Sequence, residues 1–154
     1  MLPTLSDLRT ELYRLGFSYY PSYWSTGARV VSLANDFSHI RVKLPHNWRT
    51  KNPLGVTFGG SIYGAVDPIY VVLLRHRLGD AFTVWDRAAE VRFRKPGEST
   101  LYADVHLSDD EVDTLRELTP GESTDRVYDV ELVDGDGECH AEVEKTVYVR
   151  RDDD

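Results

Sequence analysis

Two adjacent glycines, followed seven residues later by an aspartate, are the part of this sequence best equipped for chemistry. Gly59 and Gly60 lead into an apolar run, Ser61 to Leu78, in which Asp67 is the single carboxylate. The run predicts a helix with a glycine-rich start. The first backbone N–H groups of a helix have no internal acceptor, and the helix dipole places partial positive charge beside them. Glycine at that point lets a carbonyl oxygen come close to the main chain. Donors arranged this way stabilise the charge that develops on a carbonyl oxygen during acyl transfer. Asp67 has the chemistry of a general base or a nucleophile. At the usual helical rise it sits about 10 Å from Gly60, too far to act on the same carbonyl within one chain. A carboxylate from a second copy could reach it if two such helices lay antiparallel across a dimer axis. Plainer readings stand beside this one. Gly59-Gly60 also suits a tight loop-to-helix turn, and Asp67-Pro68 suits the cap and first position of a helix restarted after a kink.

Other familiar motifs fail on position. Gly55-Val-Thr-Phe-Gly-Gly60-Ser61 has phosphate-loop glycine spacing without the lysine and hydroxyl that loop needs. Gly59-Gly60-Ser61-Ile62-Tyr63 approaches a nucleophile elbow, but Tyr63 stands where the second glycine belongs. Cys139 and His140 are neighbours on an expected strand and point to opposite faces. Asp134, Asp136 and Glu138 miss the calcium-loop pattern and read as a solvated hairpin. His39, His46, His76, His106 and His140 show no metal-ligand spacing, so no metal site is expected.

The elements that must position the glycines and Asp67 follow from periodicity. Leu5, Leu8, Leu12 and Leu15 recur at helical spacing, with Gly16 as a stop. Phe17 to Gly27 is aromatic and turn-rich and reads as a packed loop. Ala28 to Asp36 and His39 to Leu44 read as a hairpin of strands, with Ile40, Val42 and Leu44 on one face. Ser61 to Leu78 is apolar nearly all round, which predicts one long helix buried by other elements. Asp67 and Pro68 inside it, and Arg75, His76 and Arg77 at its end, argue against a membrane span. Gly79 is a C-cap. Thr83 to Arg94 and Leu101 to Leu107 are strands joined through Lys95-Pro96-Gly97. A short helix from Ser108 to Leu118 follows, opened by a capping box. Arg126 to Val133 and Cys139 to Val149 complete six strands, joined by a hairpin loop at 134–137. A charged tail, residues 150–154, is expected to fray. The sum is a single α+β domain over 1–154.

Composition narrows the function classes. A net charge of −8 argues against nucleic acid as a partner. The single cysteine excludes an internal disulfide, and MLPTLSDLRTEL shows no apolar leader, so a cytoplasmic location is expected. Arginines outnumber lysines 14 to 4, and aspartates number 16. An acidic, lysine-poor surface suits a high-salt cytoplasm, and GC-rich coding would produce the same bias.

At this point the residues resemble a known family. Asn52, Gly55 and Phe58-Gly59-Gly60 through Asp67, then Glu90 to Gly97 and Leu101 to Val105, resemble the hotdog-fold thioesterases. The likeness is to the phenylacetic-acid-degradation type and to a related thioesterase-like family of unknown function. Phe58 to Tyr63, Asp67-Pro68, Val84-Trp85-Asp86 and Val143 to Arg150 match stretches that recur in the latter. The resemblance implies a hotdog fold, a curved antiparallel six-stranded sheet around a long central helix, assembling as a homodimer or a dimer of dimers. It implies hydrolysis of a small-molecule acyl thioester, with coenzyme A as part of the substrate and no separate cofactor. Asp67 falls on the catalytic carboxylate position, Gly60 with Gly59 on the oxyanion hole, and Asn52, Phe58 and Ser61 on substrate-contacting positions. Phe58 replaces the histidine of the usual His-Gly-Gly, which points either to an apolar acyl pocket or to lost catalysis. Arg92, Arg94 and Lys95 would hold the coenzyme A phosphates, or else form a solvated strand face. The competing expectations are a non-catalytic acyl-coenzyme A binding protein and a purely structural hotdog protein.

Overall fold

The six strands assemble in one antiparallel sheet of order β1-β2-β4-β5-β6-β3, described by a computed structural model over residues 3–153. They are β1 (Arg29–Leu33), β2 (His39–Leu44), β3 (Phe82–Phe93), β4 (Leu101–His106), β5 (Ser123–Val133) and β6 (Cys139–Arg151). Five helices accompany them: α1 (Leu5–Ser18), α2 (Pro21–Ser25), α3 (Gly59–Val66), α4 (Ile69–Leu78) and α5 (Asp109–Arg116). Strand alternation sorts the faces. Ile40, Val42 and Leu44 of β2, Leu101, Ala103 and Val105 of β4, and Ala141, Val143, Val147 and Val149 of β6 are all buried. Each such side chain contributes about 1.5–3 kcal/mol by leaving water when it is a Val, Leu or Ile. Against this face pack Ile62, Ala65 and Val66 of α3 and Ile69, Leu73 and Leu74 of α4.

The central helix is two helices, not the single one expected. α3 ends at Val66, α4 begins at Ile69, and Asp67-Pro68 bridges them in right-handed helical conformation. Proline has no N–H to donate back to the Gly64 carbonyl, and its ring crowds the preceding turn. Nor is the helix buried all round. Arg75 and His76 are exposed, and the outer side of α4 is roofed by His76 stacked on Phe37, with Tyr13 edge-on to both rings.

The remaining departures are local. The aromatic segment expected as a loop contains α2, because Pro21 pre-sets the first helical turn. α1 runs past Gly16 to Ser18. The half of the α5 capping box that Glu111 would complete is not formed. Ser108 accepts from the Glu111 N–H, but the Glu111 carboxylate turns to Arg126 and Tyr128 instead. The tail is tied down rather than frayed through Asp153. β6 extends to Arg151, Asp152 N–H donates to the Ala81 carbonyl, Thr83 donates to the Asp152 carboxylate, and Arg150 pairs with Asp153. Asp154 lies outside the described residues. No described helix is long and apolar enough to cross a membrane.

Candidate active site

The N-terminus of α3 is held by short loop-to-loop hydrogen bonds. Phe58 N–H donates to the Thr50 carbonyl at 2.7 Å, and Thr57 N–H donates to the Gly97 carbonyl at 2.7 Å. Gly97 is required there. A Cβ on it would stand 2.9 Å from the Thr57 hydroxyl oxygen, inside contact distance. His140, nearly buried, ties the same turn to the β5–β6 hairpin, bonding the Pro96 carbonyl at 3.0 Å and Asp134 at 2.9 Å. Asp134 also accepts from Asp136 and Glu138 N–H groups, so the acidic hairpin is internally bonded.

Phe58 is the N-cap residue of α3 and has no side-chain acceptor to offer. Ser61 and Ile62 N–H groups bond the Phe58 carbonyl, whereas Gly59 and Gly60 N–H groups find no acceptor among the described residues. The two glycines lie between exposed phenyl rings. A Cβ on Gly60 would meet the Phe58 ring at 2.4 Å, and one on Gly59 would meet the Phe93 ring at 3.1 Å. Beside them opens a hollow of about 410 Å³ whose wall includes Thr57, Gly59, Ile62, Phe93, Arg94 and Lys95. This end therefore presents unpaired main-chain donors in an apolar setting, with positive dipole charge behind them.

The other expected site residues fall unevenly around this hollow. Ser61 is buried in the first turn of α3. Asn52 turns its side-chain oxygen onto the N–H groups of Leu54 and Val56, stabilising its own loop. Arg94 and Lys95 line the hollow, but Arg94 pairs with Glu142 at 2.6 Å and Lys95 pairs with Glu138. The Glu142 carboxylate pushes the Arg94 guanidinium up. Arg92 is exposed, does not line the hollow, and pairs with Glu90 at 2.7 Å.

Asp67 lies at the far end of α3 and does not cap the helix that follows. Its backbone is helical, Pro68 occupies the N-cap position of α4, and no side chain caps α4. The half-exposed Asp67 carboxylate instead approaches Lys145 at 3.4 Å. Lys145 is wholly buried. It stands on β6 in the inward row of Ala141, Val143, Val147 and Val149. Its ammonium also donates to the Asp67 main-chain carbonyl and lies 2.8 Å from Asp86 of β3. A cation at a helix C-terminus is favoured by the dipole. Asp86 faces inward just before a bulge that shifts the β3–β6 register between Asp86 and Ala88. Burial pushes its carboxyl up, with Lys145 opposing, and its Oδ1 is buried with no partner among the described residues. Tyr63, one turn before Asp67, has its hydroxyl pushed up by burial first and by the Asp67 carboxylate second. Removing Lys145 alone would leave carboxylates uncompensated, a change that costs about 3–5 kcal/mol in buried pairs.

Lys145, Asp86 and Tyr63 lie in stretches that carry the family resemblance, but none of the three was given a site role from the sequence. Alternation along Val143, Lys145, Val147 and Val149 was the available signal, since it puts a lysine in a row of valines. A charged residue in an inward row needs a partner.

The model of a domain of unknown function (DUF4442) matches residues 10–149. The chain belongs to this family. No curated protein matches it. Among solved structures, it is similar to a Pseudomonas aeruginosa protein of unknown function described as a probable thioesterase. The TM-score is 0.76 at 20% identity, covering 97% of this chain and 96% of that one. A thioesterase of Haemophilus influenzae matches with a TM-score of 0.66 at 16% identity, over 98% and 93%. The PaaI protein of the E. coli phenylacetic acid degradation operon matches at 0.63 and 15%, over 94% and 95%. The DUF4442 chain thus has the thioesterase-like hotdog fold expected from its residues.

Proposed function

We propose that this DUF4442 protein hydrolyses a small acyl thioester, with two copies of the chain forming each site. The observation that carries the reading is the pair of unaccepted N–H groups on Gly59 and Gly60 at the open start of α3. These donors suit a thioester carbonyl becoming an oxyanion. Asp67, at the opposite end of α3, supplies the base or nucleophile to the site of a second copy. Pairing along β3 suits that assembly. β3 is a twelve-residue edge strand with exposed Trp85, Ala88, Ala89 and Phe93, and a long unpaired edge is a template for another strand. Phe58 and Phe93 form the apolar walls beside the carbonyl. Arg94 and Lys95 meet the phosphates of coenzyme A at the rim, exchanging their glutamate partners for the ligand. Asn52 and Ser61 act by holding the loop and first helical turn in place.

The experiment is thiol release from a panel of acyl-coenzyme A substrates, at low and at molar salt, for wild type and Asp67→Asn. Turnover by wild type that falls about a thousandfold in a folded, oligomeric Asp67→Asn protein is the expected result. Equal turnover in both would remove Asp67 from the mechanism. Binding without turnover in either would favour an acyl-binding protein.

A further inference from the structure

Three stretches that mark the family resemblance, Asp67-Pro68, Val84-Trp85-Asp86 and Val143 to Arg150, are far apart in the chain and meet at one atom. That atom is Lys145 Nζ, which contacts Asp67 and Asp86 and lies 5.5 Å from the centre of the Tyr63 ring. We propose that Lys145 is the positioning residue for the Asp67 carboxylate, with Asp86 as the anchor that holds the ammonium in the wall of the site. This assignment rests on the reading of Asp67 as the reacting carboxylate.

Stability does not account for the cluster. Replacing a buried ionic group with apolar residues of similar volume is often neutral or stabilising, and the inward row of β6 is otherwise alanine and valine. The cluster is also unbalanced, with two carboxylates sharing one ammonium and one Asp86 oxygen left without a partner among the described residues. Its members differ in access. Lys145 is fully buried, Asp86 largely so, and Asp67 is half exposed. Charge is thus assembled inside and delivered at one solvent-facing carboxylate. Lys145 grips Asp67 twice, through the main-chain carbonyl and through Oδ1, which fixes both the kink and the side-chain direction.

The groups around Asp67 are Tyr63 of α3, Tyr20 and Tyr23 on the α2 side of a small adjoining cavity, Asp86 of β3 and Lys145 of β6. Tyr23 is engaged with the Ala65 carbonyl. Lys145 is the one cation in this set, and the two carboxylates share it.

Two variants with opposite expected signs test the assignment. Lys145→Gln and Asp86→Asn are compared with wild type in two ways: kcat and KM against pH on whichever thioester wild type cleaves, and carbon-detected NMR titration of the Asp67 carboxyl without substrate. In Lys145→Gln, kcat falls about tenfold while KM changes less than about twofold, and the acid limb and the carboxyl midpoint both move up, because a cation 3.4 Å from the carboxylate is gone. In Asp86→Asn both move down, because the ammonium is released to Asp67. If Lys145→Gln does not fold, the downward shift in Asp86→Asn carries the test alone. An unmoved carboxyl midpoint in the folded variants overturns the assignment, even where wild type is an active thioesterase. Midpoints that shift as stated in a protein that cleaves no thioester uphold the Lys145–Asp67 coupling and sink the proposed function instead.

Discussion

At its N-terminus α3 offers two main-chain donors between exposed phenyl rings, and the cations lining the hollow beside them, Arg94 and Lys95, are already paired with glutamates. At its C-terminus the same helix offers a carboxylate backed by a buried ammonium and a second carboxylate. The first end depends on leaving polar groups unpaired, and the second on pairing them beyond what stability needs. The helix that connects them also keeps them apart, so under the proposed function the two ends meet only between copies. The contrast suggests why the chain would need a partner to act and why neither end is diagnostic alone.

Separating the ends genetically should have the largest effect. Asp67→Asn and Gly60→Val should each lower kcat/KM by about 10²–10³, one by removing the carboxylate and the other by blocking the donors. Unfolded and refolded together in equal amounts, the two should recover about a quarter of wild-type activity, since half the dimers are mixed and each mixed dimer has one intact site. Mass spectrometry of the assemblies, read beside the activity, checks the count. Recovery that stays at the background of the single variants would place both ends in one chain's site or remove one of them from it.

A milder change at the donor end sharpens the comparison. Gly60→Ala keeps the N–H but puts a methyl group where a substrate carbonyl would approach, and displaces only the far edge of the Phe58 ring. Alanine is favoured over glycine in a helix by about 1 kcal/mol. The expected outcome is about a tenfold loss in kcat/KM, with a melting temperature equal to or slightly above wild type. Calorimetry and steady-state kinetics on the same sample test it. A loss of stability instead would mean that Gly60 serves packing, as the tight-turn reading holds.

The sequence made the donor end far more legible than the carboxylate end. Gly59, Gly60 and the helix start are local features, and alternation along β2 and β4 marked inward-facing rows of the sheet that packs against that helix. The break after Val66 was visible as Asp67-Pro68, yet the run around it is so apolar that it reads as one helix. Lys145 was hidden for a different reason. Its role depends on contacts with residues 78 and 59 positions away, and no local period records such contacts. Arg92, Arg94 and Lys95 show the converse. The family resemblance put these three cations beside the proposed site; Arg94 and Lys95 line the hollow and Arg92 does not, and their partners, Glu142 of β6 and Glu138 of the β5–β6 loop, emerged only with the fold. Those pairs are exposed, and such pairs are worth little. Arg94→Gln with Lys95→Gln should therefore raise KM for a coenzyme A ester about threefold at low salt, with kcat unchanged and the difference fading at molar salt. An unchanged KM at low salt would assign these residues to the solvated face alone.

Phe58→His should be the smallest change, and it bears on the donor end most directly. The phenyl ring lies over Gly60 and is more than half exposed, so it can act as a wall for an acyl chain without closing the approach. An imidazole in its place would be smaller and polar, and the dipole at the start of α3 would favour its neutral form. If the donors and the partner copy's carboxylate suffice for the reaction, kcat should change by less than about threefold, while KM for the longest acyl chains rises about threefold from lost apolar contact. A tenfold rise in kcat on short substrates would reverse that conclusion. Phe58 would then stand where a catalytic group is missing, and the unaccepted N–H groups of Gly59 and Gly60 would mark an oxyanion site working below its capacity.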